Sequence, residues 1–139
     1  MPNWCDNKVW LEKPEAWDMI ANEDGTTAFE NILPVARDIE AHSIWGTKWN
    51  AADVVRDGEY VYFMSAWAPP LGVLTELSKH TAISAWWAEP GMDFVGQAYF
   101  ANGEMEWIEE EEFSESKEWI EENFPESYIG FFGDDEDFA

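Results

Sequence analysis

The stretch from Asp57 to Gly103, DGEYVYFMSAWAPPLGVLTELSKHTAISAWWAEPGMDFVGQAYFANG, constrains the fold more than any other part of this chain. It reads as strand, helix, strand, strand. Tyr60 to Trp67 is aromatic and β-branched, which suits a pleated and half-buried surface. Pro69 and Pro70 stop that strand, and Pro70 can open a helix because a first-turn N–H has no helical partner. Leu71, Val73, Leu74 and Leu77 then form an apolar stripe at helical spacing. Thr81 to Ala88 is the next strand, ended by Glu89-Pro90-Gly91, and Phe94 to Phe100 follows. Asn102-Gly103 is the dipeptide that favours a two-residue hairpin.

Upstream, residues 3 to 11 form a strand with Trp4, Asp6, Lys8 and Trp10 on one side and Cys5, Asn7, Val9 and Leu11 on the other. Pro14 begins a short helix to about Ala21, burying Ile20 with either Trp17 or Ala16. Asn22 to Thr26 is a turn, and Phe29 to Ile39 reads as a helical turn and a loop broken by Pro34. Trp45 to Trp49 is a loop anchored by its two indoles, and Asp53 to Arg56 is a strand paired through Asp57-Gly58 with its successor. The sum is an α+β chain, a ferredoxin-like antiparallel sheet with two helices on one face and an acidic C-terminal strand and helix extension. Both faces of the strands are apolar: Tyr60, Tyr62 and Met64 oppose Val61, Phe63 and Ser65, and Trp86 opposes Trp87. Two helices cover one face, so something else must cover the other.

The opening Met1-Pro2-Asn3-Trp4-Cys5 with Asn7, then Trp45-Gly46-Thr47-Lys48-Trp49-Asn50-Ala51, Ala66-Trp67-Ala68-Pro69-Pro70, and Glu89-Pro90-Gly91 ahead of Phe94 and Gly96 occur in that order. In these motifs the chain resembles a family of small phage and plasmid proteins with a ferredoxin-like domain. The resemblance implies the fold and a mobile-element origin. It brings no catalytic residues, because the family has no established activity.

After Gly103 the strand continues through Met105 and Trp107, set against Glu104 and Glu106. Ser114 is placed to cap a helix that runs to Asn123 and stops at Pro125, burying Phe113, Ile120 and Phe124 beside Trp119. Tyr128, Ile129, Phe131 and Phe132 are too apolar for a free tail. The expected organisation is a ferredoxin-like domain over 1–103, an acidic extension over 104–133 packed on the same domain, and a disordered acidic tail over 134–139.

Composition bounds function. The chain of 139 residues carries 30 acids against 7 bases, a formal net charge of −23, yet 46% of it is hydrophobic, with 10 Trp and 9 Phe. That much apolar surface excludes a disordered chain. The charge opposes direct binding to nucleic acid or to an anionic membrane, since phosphate contacts need cations. A basic partner is the complement. No apolar run reaches a membrane span and the N-terminus lacks the form of a signal peptide, so the expected location is the cytoplasm of a bacterial host.

The search for chemistry is negative, and the expectation is a protein that is not an enzyme and holds no cofactor or metal. His42 and His80 stand apart from other ligands and read as surface residues. Asp134 to Asp137 lack the alternating ligands of a calcium loop, and Cys5 reads as a small buried residue. Half the acids fall after Asn102. A bland reading is a solvated face. A sharper one is imitation of nucleic acid, with Glu104, Glu106, Glu109, Glu110, Glu111, Glu112, Glu115 and Glu118 as the partner-binding residues. The expected partner is then a basic, nucleic-acid-binding host defence protein, a CRISPR effector or restriction system. The alternative is a binding module that uses an aromatic sheet face, Trp10, Tyr62, Trp86 and Tyr99, for nucleic acid or protein.

Overall fold

The computed structural model describes residues 3–34, 44–47 and 50–125. Six antiparallel strands, β1 (Trp4–Leu11), β2 (Ala52–Asp57), β3 (Tyr60–Ala66), β4 (Ile83–Glu89), β5 (Phe94–Ala101) and β6 (Glu104–Glu111), lie in the order β2-β3-β1-β4-β5-β6. The first four alone, read from β4 to β2, give the order 4-1-3-2 of a ferredoxin-like sheet, and β5 and β6 extend it as a meander. Helix α1 (Leu71–Leu77) makes the crossover from β3 to β4, and α2 (Lys117–Asn123) follows β6.

The register sorts every strand residue to a face. Cys5, Asn7, Val9 and Leu11 share one face with Val61, Phe63, Ile83, Ala85, Trp87, Ala98 and Phe100, all buried. Against them pack Ala16, Trp17 and Ile20 from the segment Pro14–Ile20, and Val73, Leu74 and Leu77 from α1. Gly96 is opposite Trp87, and a Cβ there would stand 2.4 Å from the indole, so β5 needs a glycine to let that ring lie flat.

Across the other face run three rows. The first is Asp57, Tyr60, Trp10, Ser84, Tyr99 and Trp107, and the second is Val55, Tyr62, Lys8, Trp86, Gln97 and Glu109. The third is Met64, Asp6, Ala88, Val95 and Glu111. Phe113, Ile120 and Phe124 bury Ala88 and Val95 in this third row, with Trp86 and Trp119 alongside, and so form a second, smaller core. The C-terminal helix thus covers one end of the second face.

Several local expectations change. Pro14–Ile20 is a 3₁₀ helix, and Ala16, Trp17 and Ile20 are all buried in it. Three residues per turn put Trp17 and Ile20 on one line, which a short segment behind a proline can satisfy. Ser114 does not cap the last helix. It lies in a 3₁₀ turn, Phe113–Glu115, and α2 starts three residues later. Its backbone N–H and hydroxyl both go to the carboxylate of Asp93, at 2.7 and 3.1 Å. β6 runs on to Glu111, longer than the alternation to Trp107 indicates. Asn102 and Gly103, with φ of 56° and 81°, make the expected hairpin turn. The expectations placed on Val35–Ile39, His42, Lys48–Trp49 and everything from Glu126 to Ala139, the acidic tail among them, lie outside the described residues.

Candidate partner-binding surface

β6 is hydrogen-bonded along its length to β5, yet all eight of its residues are exposed. Its outer edge pairs with no strand among the described residues. The carboxylates do not form the single row that alternation suggests. Glu109 and Glu111 stand on the face that carries α2, with Glu104, whereas Glu110 shares the opposite face with Ile108. A register shift beside Tyr99 and Phe100 takes Glu106 out of the alternation. The acids therefore fringe an edge on both sides. Glu109 and Glu111 also line a small hollow with Trp119, and Gln97 donates to Glu109 at 3.3 Å. Glu112, Glu115 and Glu118 are exposed on the segment that turns from β6 into α2.

The aromatic residues of the alternative reading do share a face. Trp10 and Tyr99 stand in one row, Tyr62 and Trp86 in the next. Lys8 stands among them, its Nζ 5.1 Å from the centroid of Trp86 and 5.5 Å from that of Tyr60. That ammonium is already engaged by rings. Trp107 and Tyr62 are among the exposed apolar side chains of the surface.

The described residues of the sequence motifs gather at one end of the sheet, where they make packing and hydrogen-bond contacts. Trp67 donates its backbone N–H to the Asn3 carbonyl at 2.8 Å, and Gly91 leaves room for the Asn3 side chain. Asn7 Nδ2 donates to Ser65 Oγ and to the Cys5 carbonyl, and Thr47 Oγ1 to the Ala66 carbonyl. Trp45 is buried and donates Nε1 to Leu33. Gly46, at φ 91°, lies where a Cβ would meet the backbone of Leu71 and Pro69 within 2.9 Å. Glu89 is fully buried at the end of β4; one oxygen accepts the Met92 N–H and the other has no partner. Burial pushes its pKa up, partly offset by that hydrogen bond. Cys5 is also fully buried, and burial, then the Glu89 and Asp6 carboxylates, hold its thiol well above the ordinary value. A protonated, inaccessible sulfur is a poor nucleophile.

Among the described residues no group of three or more His, Cys, Asp or Glu is arranged to hold a metal, and no helix is long and apolar enough to cross a membrane. His80 is exposed. Sequence reading missed three residues: Asp93, Glu89 and Lys8. Lys8 was legible, since it alternates with Trp4 and Trp10. Asp93 was not, because its partner lies 21 residues away.

Residues 44–128 match the family described as "Ferredoxin-like domain in Api92-like protein". The chain belongs to that family. A crystal structure of protein api92 from Yersinia pseudotuberculosis aligns at 21% identity with a TM-score of 0.47, covering 55% of this chain. The aligned part amounts to 31% of that protein. No curated protein matches the chain.

Proposed function

We propose that this Api92-like chain is a non-catalytic inhibitor carried by a phage or other mobile element, and that its acidic edge occupies the nucleic-acid channel of a host defence nuclease. The observation that carries the reading is β6, whose exposed carboxylates are held by a strand paired along its whole length. Charges fixed in this way bind without the ordering cost that a flexible acidic tail incurs.

The density is of the right order. From Glu104 to Glu112 is roughly 27 Å at about 3.4 Å per residue. One strand of B-DNA shows about eight phosphates over that length, and this stretch shows six carboxylates, at 104, 106 and 109 to 112. An edge strand needs only a charge or two to discourage sheet addition, so edge protection leaves most of these acids unexplained. The described ion pairs Arg56–Asp18 and Lys79–Glu76 do not involve β6.

The test is displacement. A fluorescent DNA duplex is bound to a purified CRISPR effector or restriction endonuclease, and its anisotropy is followed as the chain is added. The reading expects release that weakens steeply with salt, because exposed charges are screened within about 8 Å at physiological ionic strength. A panel of such nucleases that all keep their DNA would overturn it.

A further inference from the structure

On the α2-bearing face, opposite the acidic edge, an open groove of about 520 Å³ lies between β3 and the end of α2. Tyr62, Met64, Val55 and Phe124 give it apolar walls, and Asp6 and Asp53 add two carboxylates, with no base among the described lining residues. Its size is that of a small-ligand or side-chain pocket. In the same row as Tyr62, the Lys8 ammonium lies over the rings of Trp86 and Tyr60, so aromatic groups of this face pair with cations within the molecule itself.

We infer that this groove receives an arginine side chain presented by a basic partner protein. A guanidinium on an aliphatic stem matches the site: the stem covers Met64 and Phe124, the plane stacks on Tyr62, and the fork meets a carboxylate. The groove borders β2, an edge strand that pairs only with β3 among the described residues, which leaves a path for the partner's backbone. The inference rests on the proposed function for the basic character of the partner. It adds what a fringe of acids lacks, a shaped contact that selects one basic protein among many.

The methionines make the test local, because Met64 lines the groove and Met105 lies on β6. Methyl-labelled full-length chain is titrated with a Leu/Arg peptide and with the same peptide carrying citrulline, the neutral isostere of arginine. The expected result is a saturable shift at Met64, with the citrulline peptide about tenfold weaker. Asp53→Asn should weaken the arginine peptide about threefold. Asparagine tolerates the left-handed backbone of that position, φ 52°, so the variant should fold. Equal binding of the two peptides overturns the inference. So do Overhauser contacts to the Met64 methyl from residues 126–139 of the free chain, and so does a Met64 shift that tracks protein concentration and marks a second copy as occupant. Shifts at Met105 with Met64 unmoved would remove the groove and leave the acidic-edge reading standing. Displacement of DNA that fails while Met64 still binds arginine would do the reverse.

Discussion

Trp86 and Trp87 are adjacent in β4 and stand on opposite faces of the sheet. Trp87 is fully buried under the helices and against Gly96, while Trp86 is half-buried, between the ammonium of Lys8 and the small core beneath α2. One face is closed by packing across β1, β3, β4 and β5. The other is closed only where Phe113, Ile120 and Phe124 reach it, and beyond them it presents rings and carboxylates. The same alternation of apolar residues thus builds a core on one side and, beyond α2, a surface of exposed side chains on the other.

The largest contrast to test is between two tryptophans. Trp87→Ala should cost about 3–5 kcal/mol in urea unfolding, since it empties a large buried volume. Trp107→Ala, on the exposed edge, should change stability by no more than about 0.5 kcal/mol. Similar losses at both would show that the edge is as much core as the helix-covered face.

Next comes the second core. Ile120 is fully buried against Ala88 and Val95. Ile120→Ala should cost about 2–5 kcal/mol and lower the stability of the whole sheet in one transition. If only α2 signals respond, measured by residue-level hydrogen exchange, the segment is an appendage. Asp93→Ala removes two hydrogen bonds to Ser114 and puts alanine at φ 58°, so about 1–2 kcal/mol should go. Asp93→Asn should recover part of it, because asparagine keeps an acceptor and the backbone preference.

Much of this was legible in the residues. Alternation at Tyr60–Met64, the Asn102-Gly103 turn and the apolar stripe of α1 lead to the observed strands, hairpin and helix. The α+β, ferredoxin-like class follows from their order. The shape of the acidic fringe was not legible. Period two places Glu104 and Glu106 on one face, but the register shift in β5–β6 breaks the alternation between them, and such an irregularity has no mark in the sequence. Ser114 has the right residue type for a cap, yet it sits in a 3₁₀ turn ahead of α2, held there by Asp93 of the β4–β5 turn. Tertiary contacts of that kind override a local preference.

The smallest predicted effect is a pH dependence at Glu89. Its carboxyl is raised in the folded chain above the ordinary 4.5 by burial, so the folded state holds the proton more tightly than the unfolded one. The sign follows: stability from this group is complete below about pH 4.5 and declines as pH rises through the raised folded value. Glu89→Gln should remove that decline while keeping an acceptor for the Met92 N–H. The check is the difference in unfolding free energy between the two chains from pH 4 to 8. A difference that stays flat would mean that Glu89 ionises as freely in the folded chain as in the unfolded one.

Two charge-reversed variants separate the position of the β6 carboxylates from the total charge of the chain. Lysine replaces Glu104, Glu109, Glu110 and Glu111 in one variant, and the equally exposed Glu12, Glu15, Glu23 and Glu59 in another, so that net charge changes by the same amount. Both are added to a nuclease holding a labelled DNA duplex. The first variant should no longer release DNA, while the second should do so nearly as well as the unaltered chain. Equal loss in both would mean that the excess of acid acts as a diffuse charge and that β6 is not the contact.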